Sequence, residues 1–277
     1  MTDVRVLERR RFPPLLRAIY DPPPRLYLRG AAEDVLTRRT VAVVGARSCS
    51  PYGAHVARRL GREFAAAGLV VVSGLARGVD GEAHRGALEA GGLTVAVLGC
   101  GIDRDYPAAH SDLARRIREG GLIVSEYEPG VEPAPWRFPA RNRIIAGLSA
   151  ATVVVEARER SGALITADLA LEEGRDVLAV PGEITSAFSA GTNALLKLGA
   201  APCTGAADVL EVFGLTQEER AAPKVSEQAA KVLAALPAGA DAVARVTGLE
   251  AQTVAVALAE LELAGLATEG DGLFRGS

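Results

Sequence analysis

Apolar, largely β-branched residues fall in short unbroken runs along this chain: VAVV at 41–44, LVVV at 69–72, TVAVL at 94–98, LIVSEY at 122–127, TVVVE at 152–156 and VLAV at 177–180. Runs without polar alternation predict strands buried on both faces, as in parallel sheets. The segments between them, such as AHVARRLGREFAAAG, suit crossover helices. The expected fold class is α/β, a Rossmann-like parallel sheet with helices on both faces, over residues 41–214. Ligands of such sheets bind outside the carboxyl ends of the strands, so the loops after each run are the places to search.

The pattern breaks in three places. Residues 1–40 are rich in Pro and Arg, with seven Arg against Asp3, Glu8 and Asp21 up to residue 30, and read as an irregular lead-in. Residues 215–225, LTQEERAAPKV, lose apolar periodicity and read as a linker. From residue 226 onward three short helical patterns precede a Gly-turned pair of strands, the order of a small winged-helix-like domain. From Lys224 on, four basic residues face seven acidic ones, and segment 251–264 carries Glu260 and Glu262 with no Lys or Arg. A helix entering a major groove needs cationic flanks, so this tail is expected to meet protein instead of duplex.

Composition narrows the classes. A chain of 277 residues, 49% hydrophobic with a formal net charge of −3, is globular and does not coat duplex DNA by bulk charge, though a local basic site stays open. Three Cys without CxxC or His spacing indicate neither a disulfide framework nor a zinc site. Arg9-Arg10-Arg11 is followed by prolines and charges instead of an apolar h-region, and no run of about 18 apolar residues exists. A cytoplasmic protein without membrane contact, cofactor or metal is expected.

The loops carry the chemistry. After 41–44 comes Gly45-Ala46-Arg47-Ser48-Cys49-Ser50-Pro51, where Ser50 and Pro51 start a helix. GxGxxG would need glycines at 47 and 50, so the dinucleotide fingerprint is absent; Arg47 either clamps a phosphate beside the helix N-terminus or pairs with a nearby acid. In Ser73-Gly74-Leu75-Ala76-Arg77-Gly78-Val79-Asp80 the glycines permit a sharp turn or close approach to a ligand. Asp80 is expected to cap the next helix; with His84 it could form a catalytic pair at i,i+4, but no nucleophile is signposted nearby. Gly99-Cys100-Gly101 is a tight turn and little more.

Residues 136–143, Trp-Arg-Phe-Pro-Ala-Arg-Asn-Arg, hold three Arg and two aromatics without an acid. Guanidinium groups attract phosphates and aromatic faces stack on unpaired bases, so this segment reads as a single-strand binding strip. The competing reading places Trp136 and Phe138 in the core and pairs the arginines with acids such as Glu126 and Glu128. Ser161-Gly162 and the 181–193 loop offer small residues and capping hydroxyls at helix starts, generic anion cradles.

In order, GARSCSPYG, SGLARGVDGEAHRGAL, VLGCGIDRDYP, FPARNRIIAGLS, ERSGALITADLALEEGRDVLAVPG and SAGTNALLKLGA resemble the DNA-processing protein A family (DprA, also called Smf), over about residues 12–210. The resemblance implies a dimerising Rossmann-like core that binds single-stranded DNA without sequence preference and loads RecA recombinase in natural transformation, acting as a binding factor and not an enzyme. It also implies that Arg47 lies on phosphates, that a base packs on Phe138, that Arg141, Asn142 and Arg143 form the family's RNR motif, and that the Ser161-Gly162 backbone faces the strand. Where some members carry a Lys three residues before the Phe, this chain has Pro135, so Arg137 is expected to supply that charge. With Gly45, Ser73 and Gly74, these residues are the candidate DNA contacts. Three Arg–phosphate contacts would give a log affinity against log salt slope of about −2.

The runner-up, a nucleotide phosphoribohydrolase of the lysine-decarboxylase-like type, expects a PGGxGTxxE run with a catalytic Glu. Here Arg160–Thr166 lacks the Gly pair and Ala167 stands where the acid would be. A dinucleotide-dependent oxidoreductase fails at the Arg47 loop.

Overall fold

The computed structural model describes residues 4–30, 33–215, 225–270 and 272–276, in two compact units, Met1–Thr216 and Gln217–Ser277. In the first unit all six expected strands are present: β3 (Thr40–Val44), β4 (Val70–Ser73), β5 (Thr94–Leu98), β6 (Leu122–Ser125), β7 (Ala151–Val154) and β8 (Asp176–Ala179). They are mutually parallel where they pair. A two-residue strand, β9 (Ala201–Pro202), extends that edge.

The described residues of segment 1–40 are not an irregular lead-in. They form β1 (Arg5–Glu8), the short helix α1 (Pro14–Ala18) and β2 (Arg25–Gly30). β1 and β2 pair antiparallel, and β2 adds antiparallel to β6, so the sheet is mixed, in the order β1-β2-β6-β5-β4-β3-β7-β8-β9. The signal was a period of two: Leu26 and Leu28 point into the core while Arg25 and Tyr27 alternate with them. The flanking prolines masked it. Arg29, though buried, donates to the Ile102 carbonyl at 2.8 Å and lies 3.6 Å from Asp105.

Helices α2 (Pro51–Ala66), α3 (Val79–Glu89), α4 (Ser111–Gly120), α5 (Arg137–Leu148), α6 (Gly162–Glu172), α7 (Ala190–Lys197) and α8 (Ala206–Val212) cover the sheet. Alternation along the strands divides the core. Val41 and Val43 pack with Ala57, Leu60 and Phe64 of α2, whereas Ala42 and Val44 pack with Ile144 and Ile145 of α5 and Ala163 and Ala167 of α6. Both faces are apolar, which is why the strands show no polar alternation in sequence.

The second unit holds α9 (Glu227–Ala234), α10 (Ala240–Thr247), α11 (Ala251–Leu263) and the antiparallel pair β10 (Ala267–Gly270) and β11 (Leu273–Gly276). A bridge between Ala238 and Phe274 joins the loop before α10 to the tip. Its core is small, built on Val232, Val243, Val254, Leu258 and Leu261. Glu260 accepts from the Ser226 amide and hydroxyl at 2.6 and 2.7 Å, so one of the two acids on α11 is a brace for the start of α9. Apart from Leu215 and Val225, the expected linker 215–225 lies outside the described residues. Among the described residues no single helix is long and apolar enough to cross a membrane.

Candidate nucleic-acid interface

From β3 the chain steps outward to β4, β5 and β6, then returns to start β7 on the other side of β3. Connections diverge there, which opens a crevice at the carboxyl ends of β3 and β7, the usual ligand position in a doubly wound sheet. A cavity of about 250 Å³ occupies it, lined by Val44, Gly45 and Arg47 after β3, by Phe138, Arg141 and Asn142 of α5, and by Ser161, Gly162 and Ala163 at the start of α6. A second cavity, of about 430 Å³, adjoins it and shares Arg47, Phe138 and Arg141; Gly74, Arg77, Gly99 and Tyr106 complete its wall.

Two helices start at this crevice, each with a serine cap. The Ser50 hydroxyl accepts from the Gly53 amide at 3.0 Å to cap α2, and the Ser161 hydroxyl accepts from the Ala163 amide at 3.3 Å to cap α6. The two ends differ in what faces them. Glu156, buried just past β7, accepts from the Ser50 amide at 2.8 Å and from its hydroxyl at 2.5 Å. A Cβ on Gly53 would stand 2.3 Å from that carboxylate, so glycine there admits it. The place a cofactor phosphate takes in a dinucleotide-binding fold is thus filled by the protein's own anion. The expected partnership of Arg47 with the α2 N-terminus therefore gives way to one with α6, whose first residues line the cavity.

Arg141 forms the floor. Almost completely buried, it donates through Nη1 to the Val97 carbonyl and through Nε to Asn142 Oδ1 at 3.0 Å, with Nη2 3.9 Å from Asp80. Burial pulls its guanidinium below the ordinary value, and the Asp80 charge opposes that shift. Gly74 exists for this side chain: a Cβ there would lie 1.9 Å from Arg141 Nη1. Asn142 carries the chain of contacts onward, donating to the Gly162 carbonyl at 3.1 Å and so tying α5 to the start of α6.

Above the floor, the exposed Arg47 guanidinium sits 5.0 Å from the centre of the Phe138 ring, and Phe138 stacks on Tyr106 at 5.4 Å and 22°. Phe138 is half-buried and Trp136 is 63% exposed, so the strip's aromatics do not fill the core. Neither Arg47 nor Arg77 has a carboxylate partner among the described residues.

Several expectations need correction. Ser73 is fully buried and its hydroxyl donates to the Val43 carbonyl at 2.6 Å, leaving nothing for a ligand. Arg143 does not line either cavity: it donates to both Glu126 oxygens at 2.8 and 2.7 Å and to Asp21 at 3.0 Å, the pairing that the competing reading foresaw. Arg137 is wedged between Trp136 and Tyr127, at 4.7 and 5.0 Å from their rings, and bonds the Glu132 carbonyl; it too lies outside both linings. Asp80 does not cap α3, whose N-cap is Gly78; its carboxylate reaches back to the Gly74 and Ala76 amides at 3.1 and 3.4 Å. Burial pushes that carboxyl up, and Arg141 opposes the shift. Gly45, Arg47, Gly74, Phe138, Arg141, Asn142, Ser161 and Gly162 do meet at the crevice. Sequence reasoning missed Tyr106, one more aromatic in a chain with few, and the role of Glu156.

The lining is poor in reactive groups. His84 is fully buried with Nδ1 2.7 Å from the Thr94 hydroxyl, and burial, then the charges of His110, Arg141 and Arg85, hold its imidazole down to about 3. Burial pushes the Cys100 thiol up to about 11. The carboxylate that reaches the crevice, Asp80, is held by backbone amides and Arg141, and Ala167 is a buried core residue where a hydrolase would need its acid. Among the described residues no three His, Cys, Asp or Glu side chains gather to hold a metal ion. What the crevice offers is cations, ring faces and helix-start amides.

Comparison with known proteins agrees in both units. The family model described as DNA recombination-mediator protein A matches residues 3–214, and that of the DprA winged helix domain matches residues 216–272. The DNA processing protein DprA of Streptococcus pneumoniae is 48% identical over 200 residues, 72% of this chain and 70% of that protein. A putative DNA processing protein DprA of Mycobacterium tuberculosis is 46% identical over 254 residues; the match takes in 87% of this chain but 65% of that protein's length. Among solved structures, the S. pneumoniae DprA aligns with a TM-score of 0.72 and 44% identity over 76% of this chain and 74% of that one. DprA of Helicobacter pylori, described for its single-stranded DNA binding mode, aligns with a TM-score of 0.69 and 31% identity over 77% of this chain and 98% of that one. The chain belongs to the DNA recombination-mediator protein A family, the DNA-processing proteins called DprA or Smf.

Proposed function

We propose that this chain processes DNA by binding single strands without sequence preference at the β3/β7 crevice, and that it delivers them to RecA recombinase in natural transformation, as a binding factor and not an enzyme. The observation that carries the binding step is the Arg47 guanidinium lying on the face of Phe138 beside the open start of α6. A phosphate is held between Arg47 and the Gly162 amide by charge-assisted hydrogen bonds. A base takes the ring face that Arg47 vacates, with Tyr106 stacked on the same ring. Stacking is worth about 1–3 kcal/mol per base and every base has a face to offer, so the contact is indifferent to sequence. Buried Arg141 contributes positive potential from beneath and keeps Gly74 and Val97 in register around it.

Membership of the family supports the further parts of this reading, delivery to RecA and pairing of two copies through the Rossmann-like unit. The acidic second unit is assigned to protein contact, because α11 presents Glu262 and no cation to a duplex. The test is binding of a labelled oligothymidine to wild type, Arg47→Ala and Phe138→Ala at two salt concentrations. Arg47→Ala is expected to flatten the salt response, and Phe138→Ala to weaken binding at every salt. Affinity that ignores salt, or a Phe138→Ala protein that binds as wild type does, overturns the reading.

A further inference from the structure

The Arg47–Phe138 contact has a counterpart on the other side of the crevice. Arg158, in the loop after β7, holds its guanidinium 4.7 Å from the centre of the Phe188 ring, in the loop after β8. Both residues are held through their backbones. The Ser161 amide donates to the Arg158 carbonyl at 3.0 Å, and the Ala157 amide to the Phe188 carbonyl at 2.9 Å. The Phe188 amide in turn donates to the Ser186 hydroxyl at 3.3 Å.

Arginines that serve this fold have oxygen partners: Arg143 has Glu126, Arg118 has Asp105, Arg58 has Glu89. Arg47 and Arg158 have instead a phenyl face, and neither guanidinium has a hydrogen bond or ion pair among the described residues. Arg158 is exposed and Phe188 half-buried, so the pair presents a usable surface. Arg160 adds an exposed cation on the same turn, with the exposed Glu159 next to it in sequence. Continuity with the first site is direct, because Ser161, bonded to Arg158, also lines the crevice. Phe138 packs against Gly99 at the end of β5, whereas Phe188 lies past the ends of β7 and β8, so three to four strand spacings, roughly 14–19 Å, separate the two rings, with Arg47 after β3 between them.

We propose that Arg158 and Phe188 form a second stacking platform for the same single strand, which runs from Phe138 past the start of α6 and lays a further base and phosphate over the ends of β7 and β8. The platform rests on the single-strand reading of the first site, so its test separates the two. Anisotropy titrations use oligothymidines of about 4 and about 12 nucleotides with wild type, Arg158→Ala, Phe188→Ala, Phe188→Trp and Arg47→Ala. Loss of one stacked base is expected to weaken the longer oligomer about tenfold in Phe188→Ala and leave the shorter one within about twofold. Arg158→Ala follows the same pattern, and Phe188→Trp restores binding. If Arg47→Ala weakens both lengths while neither Arg158→Ala nor Phe188→Ala weakens the longer, the platform is wrong and the first site stands. Equal losses at both lengths in Arg158→Ala also overturn it. If wild type binds neither oligomer, both readings fall. Arg158 is exposed, so its variant carries the test should Phe188→Ala not fold.

Discussion

The starts of α2 and α6 share a serine cap in sequence and are opposites in the folded chain. Each follows a buried strand, each opens on a serine cap, and each lies at the crevice between β3 and β7. At α2 the serine amide and hydroxyl are bound to Glu156. At α6 Ser161, Gly162 and Ala163 line the cavity with Arg47 across from them. The lesson extends to the arginines: Arg143 is satisfied by Glu126 and Asp21, whereas Arg47 rests on a ring. Groups with internal partners should therefore govern stability, and groups without them should govern binding.

The largest expected effect tests the first half of that division. The ordinary pKa of 6.5 applies to His84 in the unfolded chain, while the folded imidazole resists protonation down to about 3. The unfolded state thus binds more protons below about 6.5, and stability falls as pH drops, by about 1.4 kcal/mol per unit. His84→Gln keeps a polar partner for Thr94 and removes the titration. Urea melts at a series of pH values should show its acid loss shallower than wild type by about 2 kcal/mol near pH 5; parallel profiles would show that His84 takes up its proton in the folded protein as readily as in the unfolded chain.

Glu156→Ala leaves the Ser50 amide without its partner and should cost about 1–3 kcal/mol in a urea melt. Added sulfate should recover part of that loss in the variant and none in wild type, because the emptied α2 start becomes an anion site. Equal sulfate effects on both would erase the distinction between the two helix starts. Arg47→Ala should leave the melt within about 0.5 kcal/mol and weaken oligothymidine about tenfold, roughly 1.4 kcal/mol. An Arg47→Ala protein that melts much earlier and binds normally would reverse the assignment.

The smallest effect is the salt slope. With Arg143 paired, Arg47 and Arg141 are the cations that line the cavity at the start of α6, and a short oligothymidine held there should show a slope of about −1.4, less steep than the −2 that three contacts would give. Arg143→Ala should leave that slope unchanged and lower stability, since it strands the nearly buried Glu126. A flatter slope in Arg143→Ala would mean that this arginine exchanges its acids for phosphate.

Much of this molecule was legible before folding. All six core strands appear within a few residues of their apolar runs, because burial on both faces imposes a local composition. The exceptions are informative. β1 is the edge strand and β2 its neighbour, both short, and the period of two in β2 directly follows Pro22, Pro23 and Pro24. The Gly-rich loops and the Arg/aromatic strip drew attention to Arg47, Phe138 and Arg141 because cations and rings are scarce together elsewhere in the chain.

The linear order could not say which of these groups would stay available. Glu156 meets Ser50 across 106 residues, Asp21 meets Arg143 across 122, and Arg141 reaches the Val97 carbonyl across 44. Periodicity is a property of neighbours along the chain, so the six core strands and the helices between them were determined by the sequence alone. Ion pairs and hydrogen bonds act over a few ångströms of space, so the division of polar groups between those that hold the fold and those left facing a ligand was made only when the sheet brought distant segments together.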